Sequence, residues 1–221
     1  MMCGVFGWVS KNDAGPNVKI LKAIATVTER RGPHAWGLAW IDRRGTLKMY
    51  KQSGRISDHL GLLESLAGDA QMLIGHCRYA THGSYLNNLN NHPHPADGGW
   101  IVHNGIVRNY LAIADREDLH PVTDCDSEVL GQLIENADGT YLDRCVEAVL
   151  QTEKAPLVLL GLWARPQRLC IVRQGNPLHI SETKRGTYIA SLADGMPGSV
   201  SEIKDESALD FGPDDTQTQA F

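Results

Sequence analysis

Residues 155 to 163, Ala-Pro-Leu-Val-Leu-Leu-Gly-Leu-Trp, form the longest apolar run in the chain. A membrane helix needs about 20 such residues. This run is far too short for that, so Leu157 to Trp163 reads as a strand. Further strands are predicted over residues 3–9, 36–41, 46–52, 72–80, 100–103, 169–173 and 187–191. Pro16 to Arg31 reads as a helix: Pro16 suits a first turn, Leu21, Ile24 and Ala25 share a face with Val18, and Gly32 can end it. A short helix is predicted over 60–66. Two more are predicted over 126–137, with Val129, Leu130, Leu133 and Ile134 inward, and over 141–151, with Leu142, Cys145, Val146 and Val149 inward. The stretch 81–99 is rich in Asn, His, Pro and Gly and reads as loop. Strands towards both ends with helices grouped between them predict sheets covered by helices.

A chain of 221 residues is one domain by default, and its 42% hydrophobic and 21% charged residues are those of an ordinary soluble protein. No basic segment followed by a long apolar one opens the chain, so a cytoplasmic protein without membrane attachment is expected. The net charge of -5 sits at one end: Asp205, Glu206, Asp210, Asp214 and Asp215 account for it, and no Lys or Arg follows residue 204. That tail, 205–221, is predicted to be disordered beyond a domain spanning 2–204. No basic face points to nucleic acid. The five cysteines, 3, 77, 125, 145 and 170, lack paired spacing and argue against a disulfide framework.

Candidate chemistry begins at Cys3. A cysteine that becomes the first residue carries its own base, an α-amine with a pKa near ~8. Otherwise Cys3 is a small buried residue opening a strand. Arg78 offers a bidentate clamp for a carboxylate, or is a surface arginine. His82 is a base or a loop hydrogen bond. His92 and His94 alternate with prolines and lack a close acidic or cysteine partner in sequence, so they read as packing, with no metal expected. Asn104 and Gly105 are either a turn or a side-chain amide plus a backbone N–H fit to hold an oxyanion. Asp126 and Ser127 stand at a helix start, as a cap or, for Asp126, as a partner for an ammonium group.

Taken in order, MCGVFG (2–7), RGPHAWG (31–37), GHCRYATHG (75–83), the following HPH, VHNGIVRNY (102–110) and DCDSEVL (124–130) resemble the class II glutamine amidotransferases. These are N-terminal-nucleophile hydrolases, and the likeness is to the glutaminase domains of glucosamine-6-phosphate synthase and amidophosphoribosyltransferase. The resemblance implies an α+β fold: a four-layer αββα sandwich of two mostly antiparallel sheets. It implies Cys3 as nucleophile, Asn104 and Gly105 as the oxyanion pair, Arg78 on the glutamine α-carboxylate, Thr81 and His82 in the glutamine pocket, and Asp126 on the α-amino group. No cofactor is implied. The chain departs from the family at His34 and Ala35, where Asp-Ser is common, and Tyr79 stands where the sugar-forming branch has tryptophan.

The resemblance implies release of ammonia from L-glutamine through a γ-glutamyl thioester. With no synthase segment and no phosphate loop in 221 residues, ammonia is expected to pass to a separate synthase or synthetase. Two alternatives are an amidohydrolase acting on a γ-glutamyl-type amide without transfer, and a non-catalytic glutamine-binding module. Met1-Met2-Cys3 leaves Cys3 terminal only if translation starts at Met2 and Met2 is then removed.

Overall fold

The computed structural model describes residues 2–213 and 215–221. Met1, on which the start-site expectation turns, and Asp214 of the acidic tail lie outside the described residues. In chain order the strands are β1 (Gly4–Ser10), β2 (Ala35–Ile41), β3 (Leu47–Ser53), β4 (Met72–Arg78), β5 (His94–Ala96), β6 (Gly99–Asn104) and β7 (Leu157–Ala164). They continue with β8 (Gln167–Gln174), β9 (His179–Glu182), β10 (Gly186–Ala190), β11 (Val200–Glu202), β12 (Ser207–Phe211) and β13 (Thr216–Ala220). The α-helices are α1 (Val18–Glu29), α2 (Leu60–Ala67), α3 (Tyr110–Arg116), α4 (Glu128–Asn136) and α5 (Tyr141–Leu150).

Local chemistry sets the helix ends. The Asn17 side chain accepts from Lys19 N–H at 3.0 Å and starts α1. Thr140 and Asp143 satisfy each other's backbone N–H at the start of α5. The residues predicted inward on α4 and α5 are all buried.

The strands form a seven-stranded sheet, β11-β9-β10-β1-β4-β2-β3, and a six-stranded sheet, β13-β12-β8-β7-β6-β5. Strand parity sorts their side chains into separate cores. On β1, Val5 and Val9 face the other sheet while Phe6 and Trp8 face α1 and α2. On β7, Val158, Leu160 and Leu162 face the first sheet while Leu157, Leu159 and Trp163 face α4 and α5. Both faces of β7 are covered, which is why its sequence is apolar throughout rather than alternating. The result is the expected four-layer αββα sandwich.

The tail departs from expectation. Residues 205–221 supply β12 and β13, and β12 pairs along β8 from Ser207 opposite Arg173 to Phe211 opposite Leu169. Ala208 and Phe211 are buried in the cores. The charge that suggested disorder is met by cations of the body: Arg168 Nη1 lies 2.7 Å from Asp215, and Lys154 Nζ lies 2.6 Å from Glu206. A five-residue strand beside an open sheet edge needs little hydrophobic periodicity of its own, and acidic composition masked it.

Truncation after Lys204 should therefore destabilise the protein. Burial of Phe211 alone contributes about 1.5–3 kcal/mol, and β8 would become an open edge. Thermal unfolding should show a clearly lower Tm together with dye binding to exposed apolar surface. An unchanged Tm would show that the hairpin is dispensable.

Candidate active site

Three strand ends meet at one rim of the sandwich. Gly4 pairs with Cys77 across β1 and β4, which sets Cys3 beside the end of β4. There the Tyr79 N–H donates to Cys3 Sγ at 3.3 Å, and the sulfur lies 3.5 Å from the Tyr79 carbonyl. Arg31 Nε donates to the Cys3 carbonyl at 2.8 Å. Cys3 is half-buried as a residue, but its sulfur is the desolvated part. Burial pushes the thiol up to about 12; Cys125 and Asp126 add to this, while the Tyr79 N–H and Arg78 oppose it. Such a thiol stays protonated until a base removes its proton.

Asn104 ends β6 and is wholly buried. Neither Nδ2 nor Oδ1 of its side chain has a hydrogen-bond partner among the described residues. A buried polar group left open costs about 1–3 kcal/mol, and this amide stands at the rim where Cys3 and the end of β4 also meet, which makes it a candidate ligand-binding group. Its backbone is held in place: Asn176 Nδ2 donates to the Asn104 carbonyl at 2.9 Å and to that of Pro156 at 3.1 Å. Gly105 follows, and a Cβ there would lie 2.7 Å from His103 Nε2 and 2.8 Å from Leu157 Cβ. Only glycine fits. Met2, Cys3, Tyr79, Thr81, Gly105 and Arg108 are among the residues lining a cavity of about 140 Å³ at this point.

Arg78, His82 and Asp126 are not among the lining residues of that cavity. They form a linked group beside it. Arg78 Nη1 donates to Asn91 Oδ1 at 2.9 Å, and Nη2 to the carbonyls of His82 and Gly83. His82 Nδ1 lies 3.9 Å from Asp126 Oδ1, and Asp126 Oδ2 accepts from the Val107 N–H at 2.7 Å. Thr81 is exposed at the cavity mouth.

Behind Asn104 lies a buried histidine cluster. His76 Nε2 is 3.0 Å from the His103 carbonyl and joins the two sheets. His76 stacks on His92 at 3.9 Å, and His92 meets His94 edge-on at 4.6 Å. His103 Nδ1 is 2.9 Å from Ser127 Oγ. Burial pulls His76 down to about 3, with Arg78 beside it adding, and holds His92, His94 and His103 below the ordinary imidazole range. His92, His94 and Cys125 have ligand atoms within 4.8 Å of one another, a donor set that suits zinc. Tetrahedral zinc, with bonds of about 2.0–2.3 Å, needs ligand atoms roughly 3.3–3.8 Å apart. The cations Lys51 and Arg78 also act on His94. The charge balance there favours neutral imidazoles over a further cation.

No family model matches the chain. Among curated proteins it is 35% identical over 202 residues to glutamine–fructose-6-phosphate aminotransferase [isomerizing] of Aquifex aeolicus, covering 86% of this chain and 32% of that protein. The enzyme of the same name from Bacillus licheniformis is 38% identical over 156 residues, 68% of this chain and 25% of that one. The chain belongs to the class II glutamine amidotransferases. It is an enzyme of the N-terminal-cysteine-nucleophile type, and it spans about a third of the length of the curated relatives it matches. The fold agrees. A solved allosteric regulatory enzyme of purine biosynthesis superposes with a TM-score of 0.80 at 22% identity, over 99% of this chain and 49% of that one. A glutamine aminotransferase class-II domain protein from Silicibacter pomeroyi gives 0.66 at 17% identity, over 99% of both.

In this amidotransferase, Cys3, Thr81 and Gly105 share the cavity, while Asn104, which precedes Gly105, and Arg78, His82 and Asp126 lie outside its lining. Sequence reasoning missed Asn176, whose only signal was a Gly-Asn-Pro turn after a strand, and the Tyr79 backbone, which carries no side-chain signal. Among the described residues no helix is long and apolar enough to cross a membrane.

The histidine cluster sets a pH dependence. These groups are neutral when folded and take up protons near pH 6.5 when unfolded. The stability they contribute is present above about pH 6.5 and is lost as pH falls towards their depressed folded values. Denaturant titrations between about pH 7 and 5 should show stability falling with uptake of up to about four protons, from His76, His92, His94 and His103. A flat profile would mean that the cluster is charged in the folded protein.

Proposed function

We propose that this domain hydrolyses L-glutamine to glutamate and ammonia at Cys3, and that the ammonia passes to a synthase on a separate polypeptide in the cytoplasm. The observation that carries the reading is the buried, unpartnered Asn104 amide beside a cavity lined by Cys3 and Gly105.

The chemistry runs in two stages. Cys3 Sγ attacks the side-chain amide carbon of glutamine, and the carbonyl electron pair moves onto oxygen. Asn104 Nδ2 and the Gly105 N–H hold that oxyanion. The thiol proton goes to the Cys3 α-amine and from there to the leaving nitrogen, so ammonia departs and a thioester remains. Water then attacks the thioester, and glutamate and the thiol are regenerated. The raised thiol makes the attached amine necessary, because too little thiolate exists near neutral pH without it. In this reading Arg78 binds the α-carboxylate and Asp126 the α-ammonium, and Thr81 and His82 complete the pocket.

Support for a glutaminase role comes from the relatives, named as aminotransferases that use glutamine, which this chain matches over about a third of their length. Met2 lines the cavity next to Cys3. Its removal frees the base and enlarges the space for substrate.

Three outcomes are expected. Active protein should have the intact mass of a chain beginning at Cys3; activity in a chain that keeps Met2 would sink the mechanism. A diazo-ketone analogue of glutamine should add once, be blocked by glutamine, and fail on Cys3→Ala. If unlabelled protein with a free Cys3 terminus, competent for that labelling, shows no turnover of glutamine but cleaves another γ-glutamyl amide, the amidohydrolase alternative holds instead.

Asn104→Ala should lower kcat by on the order of 10²–10³ with a smaller change in KM. The rate should rise with pH through about 8 as the α-amine loses its proton. A rise only above about pH 10 would mean that the thiol ionises unaided.

A further inference from the structure

The segment Arg31–Ala35, where the chain departs from the family pattern, packs directly on the site. Gly32 lies against the backbone that leaves β4: a Cβ there would come within 2.4–2.5 Å of Arg78 C, Cys77 O and Tyr79 N. This close approach delivers His34. Its N–H donates to the Arg78 carbonyl at 3.0 Å, and its carbonyl accepts from the Gly54 N–H at 2.8 Å, so its backbone is fixed from two sides. Its ring then does two things. Nδ1 accepts from the Ala80 N–H at 3.1 Å. The ring also sits between two tyrosines, with centroids 4.7 Å from Tyr79 and 5.1 Å from Tyr85 and interplanar angles of 30° and 25°.

Tyr79, Ala80 and Tyr85 are the two ends of one loop. Tyr79 holds the Cys3 sulfur with its N–H and carbonyl. The carbonyls of His82 and Gly83, in the middle of the loop, hold the Arg78 guanidinium. The far end is anchored as well: the Tyr85 carbonyl accepts from Ser53 Oγ at 2.6 Å and Asn91 Nδ2 at 2.8 Å. One imidazole thus ties the start of the loop to its end, and the loop carries contacts to both Cys3 and Arg78. A short polar loop with two tyrosines has little apolar burial to hold it otherwise.

We propose that His34 is a positioning residue, a clamp that fixes loop 79–85 so that the Cys3 thiol and the Arg78 guanidinium keep their relative placement. Its ring makes no hydrogen bond to the thiol or to the Arg78 guanidinium; it acts through Tyr79 and Ala80. The consequence for chemistry rests on the glutaminase reading, whereas the clamp itself does not. The ring must present an unprotonated Nδ1 to Ala80, so an asparagine, whose Oδ1 can take that place, should substitute in part. Phenylalanine should keep the stacking and lose the bond.

The test uses the full chain processed to Cys3, in wild-type, His34→Ala, His34→Asn and His34→Phe forms, with two readouts. The first is amide hydrogen exchange of residues 79–85, compared with that of β4 and β6. Exchange in the loop should rise about tenfold or more in His34→Ala, with the strands unchanged, and recover partly in His34→Asn. The second is saturable labelling of Cys3 by the diazo-ketone analogue. Its maximal rate should fall about 10- to 100-fold in His34→Ala, in keeping with the cost of slight misplacement, with partial rescue in His34→Asn.

Unchanged loop exchange in His34→Ala overturns the clamp. Raised exchange with labelling at the wild-type rate and half-saturation overturns its role in positioning. Wild-type protein with a free Cys3 that takes no label refutes the glutamine site instead, and the exchange comparison still decides whether the clamp exists. A general loss of protection in every variant would assign His34 to stability alone and also overturn the proposal.

Discussion

The two sheets must bury their facing sides against each other, and the site exists because that burial changes character along the strands. On β4, Met72 and Ile74 face the other sheet within an apolar core. Two steps further on the same face comes His76, and two more brings Arg78. On β6, Val102 lies in that core and Asn104 follows on the same face. On β1 the same parity runs from Val9 and Val5 to Cys3, just before the strand. Period-2 alternation therefore puts the thiol, the guanidinium and the amide into the gap between the sheets, at the one rim where the strands become polar. A register slip of one residue on any of the three would turn its functional side chain towards a helix layer.

That arrangement leaves a problem of polar satisfaction, and its solution divides the rim in two. Several groups of the rim are paired within the protein. Asp126 takes the Val107 N–H, His103 reaches Ser127, and Asn176 ties the Asn104 carbonyl to that of Pro156. Where a substrate would sit, the Asn104 amide stays open. The histidines between these regions stay neutral through burial, and their stacked rings let polar side chains share an interior that holds few hydrogen-bond partners. The close backbone approaches belong to the same plan. Glycine at 37 lets the His92 carbonyl come within 2.1 Å of where a Cβ would be, and glycine at 105 leaves room for His103 and Leu157.

Much of this was legible in sequence, and the parts that were not share a physical cause. Helices α1, α4 and α5 announced themselves because each buries one stripe; α1 and α5 are also capped by side chains, whereas Asp126 and Ser127 before α4 turn to Val107 and His103 instead. Strands β1, β2, β4 and β7 did so because both their faces are covered. The short strands β5, β9 and β11 and helix α3 bury too little to leave a pattern. β12 and β13 hid under acidic and polar composition whose partners, Arg168 and Lys154, are distant in sequence. In the candidate site, Cys3, Asn104 and Gly105 stood out by residue type, each beside a plain structural alternative, and the resemblance to the family singled them out. The work of Tyr79 is done by its backbone and that of Asn176 by tertiary placement, so neither leaves a signal in a single sequence.

The electrostatics of the thiol connect maturation to chemistry. A desolvated sulfur near Cys125 and Asp126 is held protonated, and the Tyr79 N–H and Arg78 only partly offset this. An unprocessed chain has an amide at Cys3 in place of an amine, and has Met2 in the cavity wall. On the proposed mechanism it would lack the base. The same burial that would make the sulfur a poor nucleophile in that form keeps it from adventitious oxidation and alkylation, which need thiolate. Once the amine is exposed, the proton has an acceptor a few bonds away, and the low dielectric that suppressed the thiolate strengthens the hydrogen bonds available to a developing oxyanion. On the proposed mechanism, burial works against the resting nucleophile and in favour of the transition state, and removal of the leading methionines would allow the second effect to be expressed.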